Sequence, residues 1–223
     1  MARPALVIFD CDGVLVDSEP IAMRVLLETL CEAGLTLDPA LGYTRFLGRS
    51  LASTIAILDQ EFGLALGPRH LDGMRERLYA AFRKDLRPVP GIAGVLAGLR
   101  LPFCVASSSQ PERIRLSLEL TRLSPYFEGR MFSATMVERG KPAPDLFLHA
   151  AAAMGAAPPD CLVIEDSPAG LVAAQAAGMR AVGFVGGGHA AAAGLRTTLG
   201  ALNPDHILEE MDDLPDLLDA GPR

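Results

Sequence analysis

The chain of 223 residues lacks three features that would assign it to familiar classes of protein. No stretch approaches the roughly 18 unbroken apolar residues of a membrane span. No basic N-terminal segment leads into a long apolar run, as a signal peptide requires. There is no block of lysines and arginines either, and the formal net charge is −7. Nucleic acids and membranes are therefore not expected partners.

The spacing of the cysteines gives no indication of a metal site. The four cysteines are Cys11, Cys31, Cys104 and Cys161. None forms a Cys-x-x-Cys pair, so we expect no zinc site. All but Cys31 lie in or beside apolar runs, which favours buried thiols and a reducing, cytoplasmic location.

Half of the residues are hydrophobic, which is enough for a substantial core and a smaller companion domain. Apolar runs alternate with helical patterns along most of the chain. The apolar runs predict strands at 6–9, 103–106, 131–133, 162–164 and 181–185. Because these runs are apolar without alternation, we expect a parallel sheet covered by helices on both faces. The predicted fold class is α/β, with a Rossmann-like, doubly wound core.

Between the first strand and the rest of this pattern, the chain is mainly helical in character. Ser18 and Pro20 are suited to begin a helix that extends to Ala33, and further helices are predicted at 51–62 and 71–82. We therefore predict a core domain at residues 1–16 and 88–223. The inserted helical domain at 17–87 is called the cap.

Two aspartates, Asp10 and Asp12, follow the first strand. Ligands bind at the carboxyl edge of such sheets, and two close carboxylates repel each other unless a cation or a shared proton relieves them. The pair therefore suggests Mg²⁺, phosphate chemistry or both. A calcium loop is not expected, because the position that should hold its last glutamate is Ile21.

Three later segments follow strands or begin helices, and the topology brings them to the same edge. Ser107, with Ser108 as a backbone donor, is suited to bind a phosphate. Lys141 would neutralise both the phosphate and Asp10. The adjacent carboxylates at 165 and 166 are suited as oxygen ligands of Mg²⁺. Each feature alone also fits a turn, a helix cap or a surface lysine, and only their combination and order favour a site.

The chemistry of the first pair follows from its spacing. Asp10 is the candidate nucleophile, since a carboxylate that attacks phosphorus divides one difficult displacement into two easier ones. Asp12 lies on the same face of an extended strand. It is therefore the candidate acid and base, which protonates the leaving oxygen and then takes a proton from water.

Four segments together resemble the haloacid dehalogenase superfamily of phosphohydrolases. They span residues 9–19, 105–109, 140–145 and 164–170. The chain is most similar to the branch with a helical cap, which includes sugar-phosphate phosphatases and β-phosphoglucomutase. The resemblance implies that a phosphoryl group is transferred to Asp10, and that Ser107 and Lys141 bind the phosphate. It also implies Mg²⁺ bound by Asp10, Asp12 through its backbone carbonyl, Glu165 and Asp166.

Departures from this family's patterns narrow the expected activity. True dehalogenases lack the second aspartate, so Asp12 points to phosphoryl transfer. The mutases carry a cap histidine where this chain has Ala22, and a cap arginine where it has Leu51, although Arg49 is close to the latter position. We therefore expect a Mg²⁺-dependent phosphatase that acts on a small phosphorylated sugar, sugar alcohol or sugar acid. A phosphosugar mutase is the alternative.

Substrate choice is expected to lie in the cap, because the core segments contact only the phosphate. Within the loop at residues 43–50, Arg49 is the first candidate for substrate specificity and Arg45 the second, although exposed arginines on a helical domain explain both equally well. A glycine-rich segment at 186–188 does not complete a nucleotide-binding pattern and is interpreted as a flexible turn. His189, which follows it, has no assigned role. A monomer or weak homodimer is expected.

Two other classes share parts of this pattern. A receiver-type signalling module also uses an aspartate, a hydroxyl and a lysine, but its phosphorylated aspartate follows the third strand, and the large insertion is foreign to it. A cysteine phosphatase requires an arginine six positions after its nucleophile. The residues six positions after the four cysteines are Asp17, Leu37, Gln110 and Ser167.

Overall fold

Six strands form one parallel sheet in the computed structural model, which describes residues 3–219. They are β1 (Leu6–Phe9), β2 (Phe103–Ser107), β3 (Met131–Ser133), β4 (Cys161–Glu165), β5 (Arg180–Phe184) and β6 (His206–Leu208). Their order is β3-β2-β1-β4-β5-β6, and every neighbouring pair is parallel. The predicted α/β fold is confirmed. The short edge strand β6 is an addition to the predicted set.

Helices connect these strands and fill the insertion. They are α1 (Glu19–Glu32), α2 (Pro39–Phe46), α3 (Leu51–Phe62), α4 (Pro68–Asp85), α5 (Ile92–Gly98), α6 (Pro111–Leu120), α7 (Asp145–Ala153), α8 (Pro168–Ala176), α9 (Leu195–Gly200) and α10 (Leu214–Asp219). Proline lies in the first turn of α1, α2, α4, α6 and α8, where its missing N–H costs no hydrogen bond. The helices predicted at 51–62 and 71–82 correspond to α3 and to the larger part of α4, whereas α2 was not predicted.

The apolar strands bury both faces of the sheet. Successive side chains of a strand point to opposite faces, so Val7 and Phe9 pack into one hydrophobic cluster, and Leu6 and Ile8 into the other. All four side chains are almost completely buried. This arrangement explains why β1 shows no alternation of polar and apolar residues.

β1 lies inside the sheet, between β2 and β4. Phe9 is in register with Val105 on one side and with Ile164 on the other. The ends of three neighbouring strands therefore reach the same edge together. Asp10 follows β1, while Ser107 and Glu165 are the last residues of β2 and β4.

Helices α1 to α4 occupy the insertion, and α1 packs against α4. The segments by which the chain leaves and re-enters the sheet region are adjacent. Two hydrogen bonds join them: the Asp17 N–H donates to the Arg87 carbonyl at 2.9 Å, and the Val89 N–H donates to the Leu15 carbonyl at 3.0 Å. The domain boundaries at 16/17 and 87/88 remain a prediction, and residues 1–2 and 220–223 of the proposed core lie outside the described residues. No helix within residues 3–219 has the length and hydropathy to cross a bilayer.

Candidate active site

The sheet edge brings Asp10 and Lys141 into direct contact. The Lys141 Nζ lies 2.5 Å from the Asp10 Oδ1 and donates a second hydrogen bond to the Ala106 carbonyl at 3.1 Å. A third hydrogen bond goes to the Glu165 Oε1. Lys141 is only 4% exposed, so the alternative of a solvated surface lysine does not apply. The structure therefore brings Asp10, Lys141 and Glu165 together, as the sequence analysis expected.

Negative charge exceeds positive charge at this point of the molecule. Asp10, Glu165 and Asp166 each have a carboxylate oxygen within 4.8 Å of the others, with the Lys141 ammonium against two of them. Burial raises the pKa of Asp10 well above its ordinary value, while Lys141 opposes this rise and Glu165 adds to it. Burial and then Glu165 raise the pKa of Asp166 in the same way. A buried oxygen cluster with excess negative charge fits a hard divalent cation.

Glu165 is fixed by donors on both of its oxygens. Its Oε1 accepts from Lys141, and its Oε2 accepts from the Ser167 N–H and hydroxyl, both at 2.9 Å. A Cβ atom at Gly170 would lie 1.9 Å from the Glu165 Cδ, so only glycine leaves room for this carboxylate. These contacts make Glu165 a partner that orients Lys141, and its assignment as a Mg²⁺ ligand remains a prediction.

Asp12 has a separate set of partners. Its Oδ1 accepts from the Ser18 hydroxyl at 2.6 Å and from Arg113 at 2.8 Å, and its Oδ2 accepts from the Ser109 hydroxyl at 2.6 Å. Burial alone would raise the pKa of Asp12, but Arg113 and the two hydroxyls outweigh burial and hold this pKa below its usual value. Asp12 is therefore ionised at neutral pH in this arrangement. Ser18 does stand at the N-cap of α1, but its side chain makes no capping hydrogen bond there.

The two predicted phosphate-binding serines lie at the end of β2. The Ser107 Oγ is buried and accepts from the Ser109 N–H at 3.1 Å. The Ser108 hydroxyl instead reaches across to the insertion and donates to the Gly48 carbonyl at 3.2 Å. Both serines are at the edge near Asp10 and Lys141, since β2 pairs directly with β1. Their roles in phosphate binding remain predictions.

A cavity of about 110 Å³ opens between the inserted helices and α6. Its polar lining consists of Glu19, Arg49, Thr54 and Arg113, and the remainder is largely apolar. Arg49 therefore lines this cavity, and its role in substrate specificity remains a prediction. Arg45 is not among the lining residues, because its guanidinium pairs with Glu61, at 3.3 Å.

A larger cavity of about 480 Å³ lies elsewhere, between α5 and α10, and Gly94 and Leu218 are among its lining residues. It contains none of the predicted site residues. Size alone is therefore a poor guide to the site in this molecule. The smaller cavity adjoins the site through Arg113, which lines it and contacts Asp12.

Besides the Ser109 hydroxyl, three further partners of the site were not predicted. They are Ser18, Arg113 and the buried His189, whose Nε2 lies 3.0 Å from the Asp166 Oδ2. The position of Arg113 in the sequence could have suggested its contact. It lies four residues after Ser109, in the first turn of α6, and this helix begins at the sheet edge where β2 ends. The other two contacts arise from loop geometry, which residue spacing does not encode.

Three comparisons show which known proteins the chain resembles. Residues 4–178 match the family model described as a haloacid dehalogenase-like hydrolase. The 6-phosphogluconate phosphatase of Escherichia coli (strain K12) is 34% identical over 190 residues, which cover 85% of this chain and 86% of that protein.

Two solved structures have similar folds. A conserved haloacid dehalogenase-like protein from Agrobacterium tumefaciens str. C58 superposes with a TM-score of 0.82 at 35% identity, covering 97% of this chain and 98% of its own. A HAD family hydrolase from Deinococcus radiodurans R1, with bound phosphate and sodium, gives a TM-score of 0.76 at 33% identity. The match covers 98% of this chain and 96% of that chain. The expectation of a hydrolase is confirmed, and the chain belongs to the haloacid dehalogenase-like hydrolase family.

Proposed function

We propose that this protein is a Mg²⁺-dependent phosphatase that hydrolyses a small phosphorylated sugar, sugar alcohol or sugar acid through a phospho-aspartyl intermediate on Asp10. One observation carries the proposal above all others. A buried carboxylate at the sheet edge contacts Lys141 and has two further carboxylates beside it, with the separately held Asp12 two residues on. Nucleophile, charge partner and acid/base are thus distinct groups within one site.

The proposed cation would be held by Asp10, Asp166 and the backbone carbonyl of Asp12, with Glu165 assisting. The residues fit this group, because the carboxylates are buried, close together and short of positive charge. The Asp166 Oδ2 also has no hydrogen-bond partner among the described residues. Bound there, Mg²⁺ would offset charge on the phosphoryl oxygens and on the carboxylates.

The chain's own groups account for both halves of the reaction. An Asp10 oxygen bonds to phosphorus as the bond to the leaving oxygen breaks, and Asp12 gives that oxygen a proton. Water then attacks phosphorus, Asp12 takes a proton from it, and the bond from Asp10 breaks to release phosphate. Lys141 stabilises charge on the transferring oxygens throughout. Because Arg113 keeps Asp12 ionised, the first step requires that substrate binding loosen this contact and let Asp12 gain a proton.

The cavity limits what can be attached to the phosphate. A volume of about 110 Å³ favours a small group beside the phosphate, and the lining supplies Glu19, Arg49, Thr54 and Arg113 as hydrogen-bond partners for hydroxyl groups. The relative from Escherichia coli is named for a phosphorylated sugar acid, which supports this substrate class.

Hydrolysis is favoured over the mutase alternative by two lining residues. Ala22 and Leu51 face the cavity at the positions where the mutase pattern has a histidine and an arginine. Ala22 cannot exchange a proton with a sugar hydroxyl, and Leu51 cannot bind a second phosphate, although Arg49 lines the same cavity close by. Water is therefore the expected acceptor in the second step.

A phosphate-release screen tests the proposal. Sugar, sugar-alcohol and sugar-acid phosphates would be assayed with and without Mg²⁺, using the wild-type protein and Asp10→Asn. We expect release that requires Mg²⁺, and a loss on the order of 10³-fold or more in the variant with an unchanged circular-dichroism spectrum. Full turnover by Asp10→Asn would refute the assignment. Conversion of a sugar 1-phosphate to a 6-phosphate without free phosphate would favour the mutase instead.

A further inference from the structure

His189 is the fourth residue of the segment Gly186–Gly187–Gly188–His189, which follows β5. Its ring is only 1% exposed. On one side the Nε2 lies 3.0 Å from the Asp166 Oδ2. On the other side the ring faces that of Tyr43, from the inserted helix α2, with 6.0 Å between ring centroids and 31° between planes. The segment is therefore packed into the site, whereas the sequence pattern predicts only a flexible turn.

Two glycines make room for this ring. A Cβ atom at Gly187 would lie 2.8 Å from the His189 Cε1. A Cβ atom at Gly13 would lie 2.9 Å from the same carbon and 1.8 Å from the Asp166 Oδ2. The backbone loop after β1 and the loop after β5 thus approach closely on either side of the histidine.

A hydrogen bond anchors the segment to the loop after β1. The Gly188 N–H donates to the Asp17 Oδ1 at 2.9 Å, and a Cβ atom at Gly188 would come within 2.7 Å of the same carboxylate. The backbone position of His189 is therefore fixed relative to the residues that follow Asp10 and Asp12. A ring fixed in this way has little freedom to turn away from Asp166.

The polar atoms at this contact are unsatisfied. Neither ring nitrogen of His189 nor the Asp166 Oδ2 has a hydrogen-bond partner of good geometry within residues 3–219, although Nε2 and Oδ2 are at hydrogen-bonding distance. A histidine ring carries at least one N–H in either protonation state, so it can present a donor at Nε2 to the Asp166 Oδ2. A buried donor beside a buried acceptor is costly until the two align, and a small rotation of the carboxylate is sufficient to align them.

We infer that His189 is a positioning residue for the metal site, which directs its Nε2–H at the Asp166 Oδ2 and so aims the other oxygen of Asp166 at the cation. The inference rests on the proposed function, since it requires a divalent cation beside Asp166. Carboxylate ligands of metals are commonly held by such outer hydrogen bonds, and loss of an outer partner typically weakens metal binding by about 10- to 100-fold.

Magnesium affinity, measured by calorimetry without substrate, tests the inference. We expect His189→Leu to weaken Mg²⁺ binding by about 10-fold or more, and His189→Gln, which keeps an N–H donor, to stay within about threefold of wild type. The matched control is His206→Leu, since His206 is exposed and begins β6 at the opposite end of the strands. Wild-type affinity in His189→Leu, or equal losses in the leucine and glutamine variants, would overturn the inference, because a packing role alone needs no donor.

The wild-type protein supplies a second measurement that does not depend on how the variants fold. The ¹⁵N signals of the four histidine rings would be followed as Mg²⁺ is added. We expect the Nε2 signal of His189 to move as its hydrogen bond to Asp166 forms, while those of His149 and His206 stay in place. An unmoved His189 signal at saturating Mg²⁺ would overturn the inference.

The two proposals fail in different ways. If the wild-type protein hydrolyses phosphate esters and binds Mg²⁺ while His189→Leu binds it equally well, only the role of His189 is refuted. If the wild-type protein neither binds Mg²⁺ nor releases phosphate from any ester, the proposed function fails and the role of His189 fails with it.

Discussion

The Ser108 hydroxyl donates a hydrogen bond to the Gly48 carbonyl and joins the sheet edge to the inserted helices. Gly48 has a φ of +70°, and a Cβ atom there would lie 2.3 Å from the Ser167 Cβ and Oγ. The turn after α2 therefore rests directly on the residues that follow β2 and β4. Any side chain at position 48 would push the insertion away from the site.

Gly48→Ala is expected to lower kcat/KM by roughly 10- to 100-fold, because small displacements of groups around a site are amplified in the rate. Gly63→Ala is the matched control. Gly63 also has a positive φ, +62°, but a Cβ atom there would meet nothing within 4 Å. The positive φ should cost each variant about 1–2 kcal/mol in thermal unfolding, and the clash with Ser167 should make the loss in Gly48→Ala the larger of the two. Equal kcat/KM values for the two variants would contradict the proposed closeness of turn and site.

Lys141→Met is expected to destabilise the protein by about 3–5 kcal/mol, because it leaves buried carboxylates without their cation. The pKa of Lys141 is itself raised, since Asp10 and Glu165 outweigh the effect of burial. Urea unfolding in the absence of Mg²⁺ measures the change. The control is Lys84→Met, an exposed lysine on α4, which should alter stability by no more than about 0.5 kcal/mol. A similar stability for both variants would refute the charge balance proposed for Lys141.

Arg113→Met is expected to lower kcat by about 10- to 100-fold, because Asp12 would lose the partner that orients it and keeps it ionised to take a proton from water in the second step. Arg113→Lys should retain more activity, since it keeps a cation near Asp12. Arg115 lies on the same helix and is exposed, so Arg115→Met serves as the control in the same phosphate-release assay. A wild-type kcat in Arg113→Met would exclude any catalytic contribution of the contact with Asp12.

The raised pKa of Glu19 should make the stability of the folded protein depend on pH. Burial, then Asp12 and Asp166, raise the pKa of Glu19 from 4.5 to about 8. Between these two values the folded protein keeps a proton that the unfolded chain has lost, so this group's contribution to stability falls as the pH rises. Glu19→Gln removes that contribution.

The melting temperature of Glu19→Gln minus that of the wild-type protein should therefore increase from about pH 5 to about pH 8, measured with a chelator present. It should level off above that range, where both states are ionised. A difference that stays constant with pH would mean that Glu19 titrates normally in the folded protein.

The main strands and the polar groups that follow them could be predicted from the sequence, because a buried apolar run and a carboxylate at its end are both local features of the chain. β6 was not predicted, because it begins with an exposed histidine and has only one fully buried side chain, so it lacks a buried apolar run. The partners of Asp12 were missed for another reason. Ser18 was expected to cap α1 by its local position, but tertiary packing places its hydroxyl against a carboxylate six residues earlier, and Arg113 reaches that carboxylate across 101 positions.

Strand order also bears on how the protein would lose activity when warmed. β1 has two strands on one side and three on the other, so fraying of an outer strand leaves its ladder intact. Amide hydrogens of β1 should then exchange with deuterium only when the whole core opens. Heat inactivation, on this basis, should follow the melting curve of the sheet and should not precede it.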